Sequence, residues 1–163
     1  MMNFTTRTLR TLALGGAAMI ALAAQPALAA DSAELDVSAD VSSVCNVSTS
    51  AVAFGNVDVT SGSNVDATGG FSVTCTNGTD WTAAASAGGG TGASTAARKM
   101  MSGANVLNYA LYTNAGRTTN FVGATATGSG SAQASTLYGR VPGGQTTVLA
   151  GSYADSVTIS LTY

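Results

Sequence analysis

The chain has no histidine, two cysteines, two prolines and one tryptophan among its 163 residues. Without imidazole, the Ser-His-Asp and Cys-His arrangements of nucleophilic hydrolases are excluded. Two thiolates alone do not complete a zinc shell. Charge is scarce as well: 9% of residues are charged, against roughly 25% in an ordinary soluble domain. Beyond residue 29, Arg98, Lys99, Arg117 and Arg140 stand against eight acidic residues, leaving a net charge of −4. That balance lacks the basic footprint of a nucleic-acid binder, and equally that of a protein drawn to anionic lipid. Arg98-Lys99 reads as a solvated strand edge. Five of the acids (Asp31, Glu34, Asp36, Asp40, Asp58) fall early and read as solvated residues rather than a catalytic pair. The glycines at 88–90 and at 128 and 130 lack the Lys-Ser/Thr and the helix of a phosphate loop. These absences predict a protein that is not an enzyme, with no cofactor, no metal and no small-molecule substrate.

What is present begins with an export signal. Arg7 and Arg10 precede an apolar stretch at 12–24, and Pro26 precedes the small-residue site Ala27-Leu28-Ala29. Residues 1–29 therefore read as a cleaved signal peptide. The apolar stretch is too short for a span of ~20 residues. The remaining chain of about 134 residues fits one domain. Export brings it to an oxidising compartment, so Cys45 and Cys75 are expected to pair as a disulfide.

The rest alternates in the manner of strands. Residues 33–41 place Leu35, Val37, Ala39 and Val41 on one face, with Glu34, Asp36, Ser38 and Asp40 on the other. Further strands are predicted at 44–47, 51–59, 70–76, 81–86, 106–112, 119–122, 137–141 and 146–149. Residues 60–68, 87–97 and 123–131 read as loops. The closing stretch 153–163 is a strand with Val157, Ile159 and Leu161 on one side. Short, evenly spaced strands without an amphipathic helix indicate an all-β sandwich. A terminal strand this apolar needs a partner on its free edge. The alternating stretch at 33–41 is the natural candidate, contributed by a different molecule.

Three segments carry a resemblance. Val106-Leu107-Asn108-Tyr109-Ala110-Leu111-Tyr112 resembles an L-x-Y-x-LY core, and Tyr138-Gly139-Arg140-Val141-Pro142-Gly143-Gly144-Gln145 resembles YGR-[VI]-P-x-GQ. Ala150-Gly151-Ser152-Tyr153-Ala154-Asp155-Ser156-Val157-Thr158-Ile159 resembles x-G-x-Y-x-D-x-[VL]-x-[VI]. With Cys45, Phe54-Gly55 and Phe71-Ser72-Val73-Thr74-Cys75, these resemble the spore coat protein U domain family. That family includes major pilin subunits of archaic (Csu-type) chaperone–usher pili. Phe121 departs from the tryptophan of many members.

The resemblance implies an incomplete immunoglobulin-like β-sandwich lacking its last strand, completed by donor-strand complementation. Residues 30–41 would be the donor extension, with Leu35, Val37, Ala39 and Val41 as plugs, and 42–163 the sandwich. Val157, Ile159 and Leu161 would lie in the acceptor groove, and Tyr163 would anchor the chaperone. The implied partners are a periplasmic pilus chaperone, an outer-membrane usher, and identical or related pilin subunits joined head to tail. The implied setting is the cell surface, reached through the periplasm, with a role in adhesion and biofilm. Two other functions compete. One is a secreted coat or matrix protein of the same fold, self-complemented or domain-swapped. The other is a sugar-binding module, which would need an exposed aromatic platform; Trp81 is expected in the core instead.

Overall fold

The computed structural model describes residues 30–163; the predicted signal peptide lies outside the described residues. Two units are distinguished, Met1–Ser38 and Ala39–Tyr163. In the first, the described residues 30–38 are exposed and have no regular secondary structure.

The second unit is all-β among the described residues. Its strands are β1 (Cys45–Ser50), β2 (Val65–Cys75), β3 (Asp80–Ala85), β4 (Arg98–Ser102), β5 (Asn105–Tyr112), β6 (Gly123–Thr127), β7 (Gln133–Val141) and β8 (Ile159–Thr162). They form a five-stranded sheet of order β1-β2-β7-β5-β4 and a three-stranded sheet of order β6-β3-β8. Every pairing is antiparallel.

The period of two sets the core. Phe71, Val73 and Cys75 of β2, Leu107, Tyr109 and Leu111 of β5, and Leu137 and Val141 of β7 are buried on the inner face of the larger sheet. Trp81 and Ala83 of β3 oppose them, and Phe121 lies 5.6 Å from Phe71 between ring centroids. The indole of Trp81 donates to Gln133 Oε1 at 3.2 Å, which satisfies its one polar group. Trp81 is therefore core, and offers no platform for a sugar. The disulfide is present: Cys45 and Cys75 are direct cross-strand partners at the head of β1.

Several predicted elements differ. Residues 33–41 form no strand: alternation supplies a face, but a strand also needs a ladder partner. Residues 123–127, expected as loop, are β6. This edge strand carries no large side chain; Ala124 and Ala126 pair with Ala83 and Trp81 of β3. The strand expected at 119–122 is reduced to a bridge between Asn120 and Tyr112. The extension expected at 146–149 contains a turn. β2 reaches back to Val65, into a stretch expected as loop, because its glycines and polar residues pair along β7.

Arg98 corrects the reading of a solvated pair. It is 0% exposed. Its guanidinium donates to the carbonyls of Thr95 at 2.6 Å, Ser86 at 3.1 Å and Phe121 at 3.0 Å, while Nε has no partner. Burial pushes its pKa down, opposed by the nearby Tyr109 and Asp155. A buried arginine whose donors meet backbone carbonyls fixes the loop leading into β4 against the core.

Candidate functional site

An open cleft of about 1210 Å³ lies between two extended segments, residues 51–59 and 148–157, with Ile159 continuing the second. Leu107, Tyr109, Leu111 and Leu137 form its floor. In both walls burial alternates. Val52, Phe54, Val57 and Val59 turn inward on one side, and Tyr153, Asp155, Val157 and Ile159 on the other. Alternation of this kind is the mark of a strand. Residues 51–59 nonetheless carry no ladder, and on the other wall regular pairing begins only at Ile159.

Each wall is positioned by specific residues. Residues 51–54 lie directly over the inner face of the larger sheet, at Gly69 of β2 and Gly139 of β7. A Cβ on Gly69 would sit 2.5 Å from the Ala51 carbonyl oxygen, and one on Gly139 would sit 2.6 Å from Val52 and 2.7 Å from Phe54. The two glycines form a notch that seats this wall. Phe54 then meets Tyr109 edge to face, 6.0 Å between centroids. Gly55, with φ of 64°, turns the segment where a side chain would be strained.

The opposite wall crosses between the sheets. Ala154 exchanges two backbone hydrogen bonds with Met101 of β4, at 2.9 and 3.1 Å. Further on, Ser86 N donates to Thr158 O at 2.9 Å, and β8 pairs with β3. Asp155 pins this wall: Oδ2 accepts from the Tyr109 phenol at 2.7 Å, and Oδ1 from Gly89 N at 2.7 Å. Burial, and then the hydrogen bond to Asp155, push the Tyr109 phenol well above its ordinary range.

Of the residues expected in the groove, Val157 and Ile159 line the cleft. Leu161 is half-buried against the core and is not part of the lining. Tyr163 is exposed. Leu35, Val37 and Val41 are 85%, 86% and 85% exposed, and Ala39 is exposed too. The first wall lines the groove without having been expected there, although the alternation at 51–59 is its sequence signal. Asp155 is likewise a new member of the site, since its role depends on a tyrosine 46 residues away. Among the described residues, no group of three metal-ligating side chains comes together. The outer face of the larger sheet carries an ion-pair cluster in which Asp66 meets Arg140 at 2.8 Å and Arg117 at 3.2 Å. The Arg140 hydrogen bond holds the Asp66 carboxyl below the usual carboxylate range.

Two antiparallel layers, with an open strand-length cleft between unladdered walls, define an incomplete immunoglobulin-like sandwich. The model of the Spore Coat Protein U domain matches residues 31–160, and the chain belongs to that family. Among solved structures it is similar to the CsuC–CsuE chaperone–tip adhesion subunit pre-assembly complex from archaic chaperone–usher Csu pili of Acinetobacter baumannii. The identity is 19% and the TM-score 0.55, over 76% of this chain and 40% of that chain. The likeness is one of fold, and this chain spans well under half the length of that one. No curated protein matches.

Proposed function

We propose that the protein is a structural, non-catalytic subunit of a chaperone–usher pilus, joined to its neighbours by donor-strand exchange. The observation that carries this reading is the cleft: two walls with strand-like burial, unladdered toward each other over an apolar floor. A strand laid between them would gain backbone hydrogen bonds along its edges and apolar contacts on one face. The family match and the fold of the Acinetobacter baumannii complex support the pilus setting.

The donor in this reading is residues 30–41 of another copy. Leu35, Val37, Ala39 and Val41 enter the cleft and the acidic face stays in water. Exposed apolar side chains on an unstructured segment suit a strand that waits for a partner. A periplasmic chaperone fills the cleft first, with Tyr163 as its anchoring point, and the exchange takes place at an outer-membrane usher. Head-to-tail joining of this kind is heterologous and gives an open filament rather than a closed ring. The filament would stand on the cell surface and support attachment and biofilm.

The test is electrophoresis of sheared surface protein, unheated and after boiling in detergent. The expected result is a ladder of multimers that collapses on boiling to one band of about 13 kDa, at ~0.1 kDa per residue. A single monomer band in the unheated lane sinks the pilus reading and favours a self-complemented coat protein.

A further inference from the structure

We propose that the Cys45–Cys75 disulfide is a mechanical stop. It keeps tension on the N-terminal extension from dismantling the cleft of the same subunit. This rests on the strand-exchange reading, which places the extension under load in a filament.

Residues 42–44 are clasped first: Thr76 N donates to Val44 O at 2.9 Å, Val44 N to Thr76 Oγ1 at 3.1 Å, and Thr76 Oγ1 to Ser42 O at 3.2 Å. Thr79 Oγ1 donates to Ser43 Oγ at 3.2 Å. β1 begins at the next residue. It is an edge strand paired with β2 alone, and every side chain after Cys45 is exposed. Backbone hydrogen bonds, not packing, hold it. Where β1 ends, at Ser50, the first cleft wall begins.

A pull on residue 41 therefore acts on one end of an edge ladder. Pairs loaded from one end break one after another, each bearing the whole load in turn, and each is individually weak. Without a stop, the clasp fails, β1 peels from β2, and Val52 and Phe54 are lifted from the Gly69–Gly139 notch. The cleft then loses a wall and releases the strand it holds, so one strained joint would undo the next. The disulfide sits at the first pair of β1, Cys45 with Cys75. A bond at the far pair, Ser50 with Gly70, would close the chain as well but would leave β1 free to peel. At the head of the strand, the bond passes the load to β2, a central strand.

The test is constant-force stretching of single filaments, wild type against the Cys45→Ser/Cys75→Ser double variant. Wild-type joints are expected to rupture without prior lengthening. In the variant, steps of up to about 60 Å, the reach of residues 42–59, should precede rupture, and joint lifetime should fall by tenfold or more. Variant filaments that rupture without such steps, with lifetimes within twofold of wild type, overturn the proposal. Should the variant not assemble, the wild-type chain is stretched singly from handles at residues 41 and 157, before and after reduction. The step is expected only after reduction, and its appearance in the oxidised chain, or its absence from the reduced one, overturns the stop. Wild-type surface protein that forms no filaments refutes the pilus reading, while the single-chain measurement still decides the stop.

Discussion

The phenol of Tyr109, in the floor of the cleft, donates a 2.7 Å hydrogen bond to Asp155 in its wall, across 46 residues of sequence. Floor and wall are thereby fixed to each other, and Asp155 carries the tie onward to the loop at Gly89. Because burial raises the Tyr109 pKa in the folded chain, folding favours its neutral form. The stabilisation is fully present below the unfolded value near 10 and is lost as pH rises from there through the folded value. Melting temperature should therefore hold to about pH 10 and then fall. Tyr109→Phe should be less stable at neutral pH, and its curve should be flatter above pH 10. Thermal denaturation from pH 8 to 12 measures both, and parallel curves would detach the alkaline loss from this residue.

Arg98→Met should be among the most damaging single substitutions. It strands the carbonyls of Thr95, Ser86 and Phe121, which the guanidinium now satisfies. The bond to Phe121 is buried and the other two are part-buried; an unmet buried acceptor costs about 1–3 kcal/mol, so a loss of about that size or more is expected in urea denaturation.

If subunits join by strand exchange as proposed, its two faces can be blocked separately. Val37→Asp should leave a subunit able to accept a strand but not to donate one. Val157→Asp should leave a subunit able to donate but not to accept. Each should abolish multimers when alone. Mixed, the two should stop at dimers, because each surviving face finds one partner. Long ladders from either variant alone would show that the plug face or the groove is misassigned.

Reduction of the disulfide should lower subunit stability by roughly 3–4 kcal/mol, the chain-entropy value for a loop of about 30 residues. Urea unfolding with and without reductant reads the difference. An unchanged midpoint would confine the bond to a role under load.

Gly69→Ala tests the notch. Its Cβ would meet the Ala51 carbonyl, a backbone atom that must move. A cost of about 1–3 kcal/mol is expected for such overpacking. Retention of the donor strand should fall with it, read as a lower temperature for collapse of the multimer ladder.

Much of this was legible in the sequence because strands with one buried face announce themselves. Phe71, Val73 and Cys75 of β2 and Leu107, Tyr109 and Leu111 of β5 alternate with polar or smaller residues, Trp81 of β3 and Leu137 and Val141 of β7 mark the inner faces of their strands, and the disulfide followed from export and a count of two cysteines. Edge elements were harder. β6 is built of Gly, Ala and Thr and is largely exposed at the edge of the smaller sheet, so its own residues carry no apolar signal. Arg98 looked like surface because charge usually is, and its carbonyl partners come from three separate segments. Residues 33–41 show the reverse: a clear strand pattern with no strand, since pattern records what a segment can pair with rather than what it pairs with in a single chain. The motif glycine of Tyr138-Gly139-Arg140 gained its reason from the structure, as the place where Val52 and Phe54 come to rest.

The wall running from Ala154 to β8 is bonded to both layers, to β4 at one end and to β3 at the other. It acts as a strut that ties the two layers together beside the cleft. Amide exchange should therefore slow in both β3 and β4 when a strand is seated, though β4 lies at the far margin of the larger sheet. In the strand-exchange reading, occupancy of the cleft would then be registered in the middle of the smaller layer and at the margin of the larger one, away from the cleft itself.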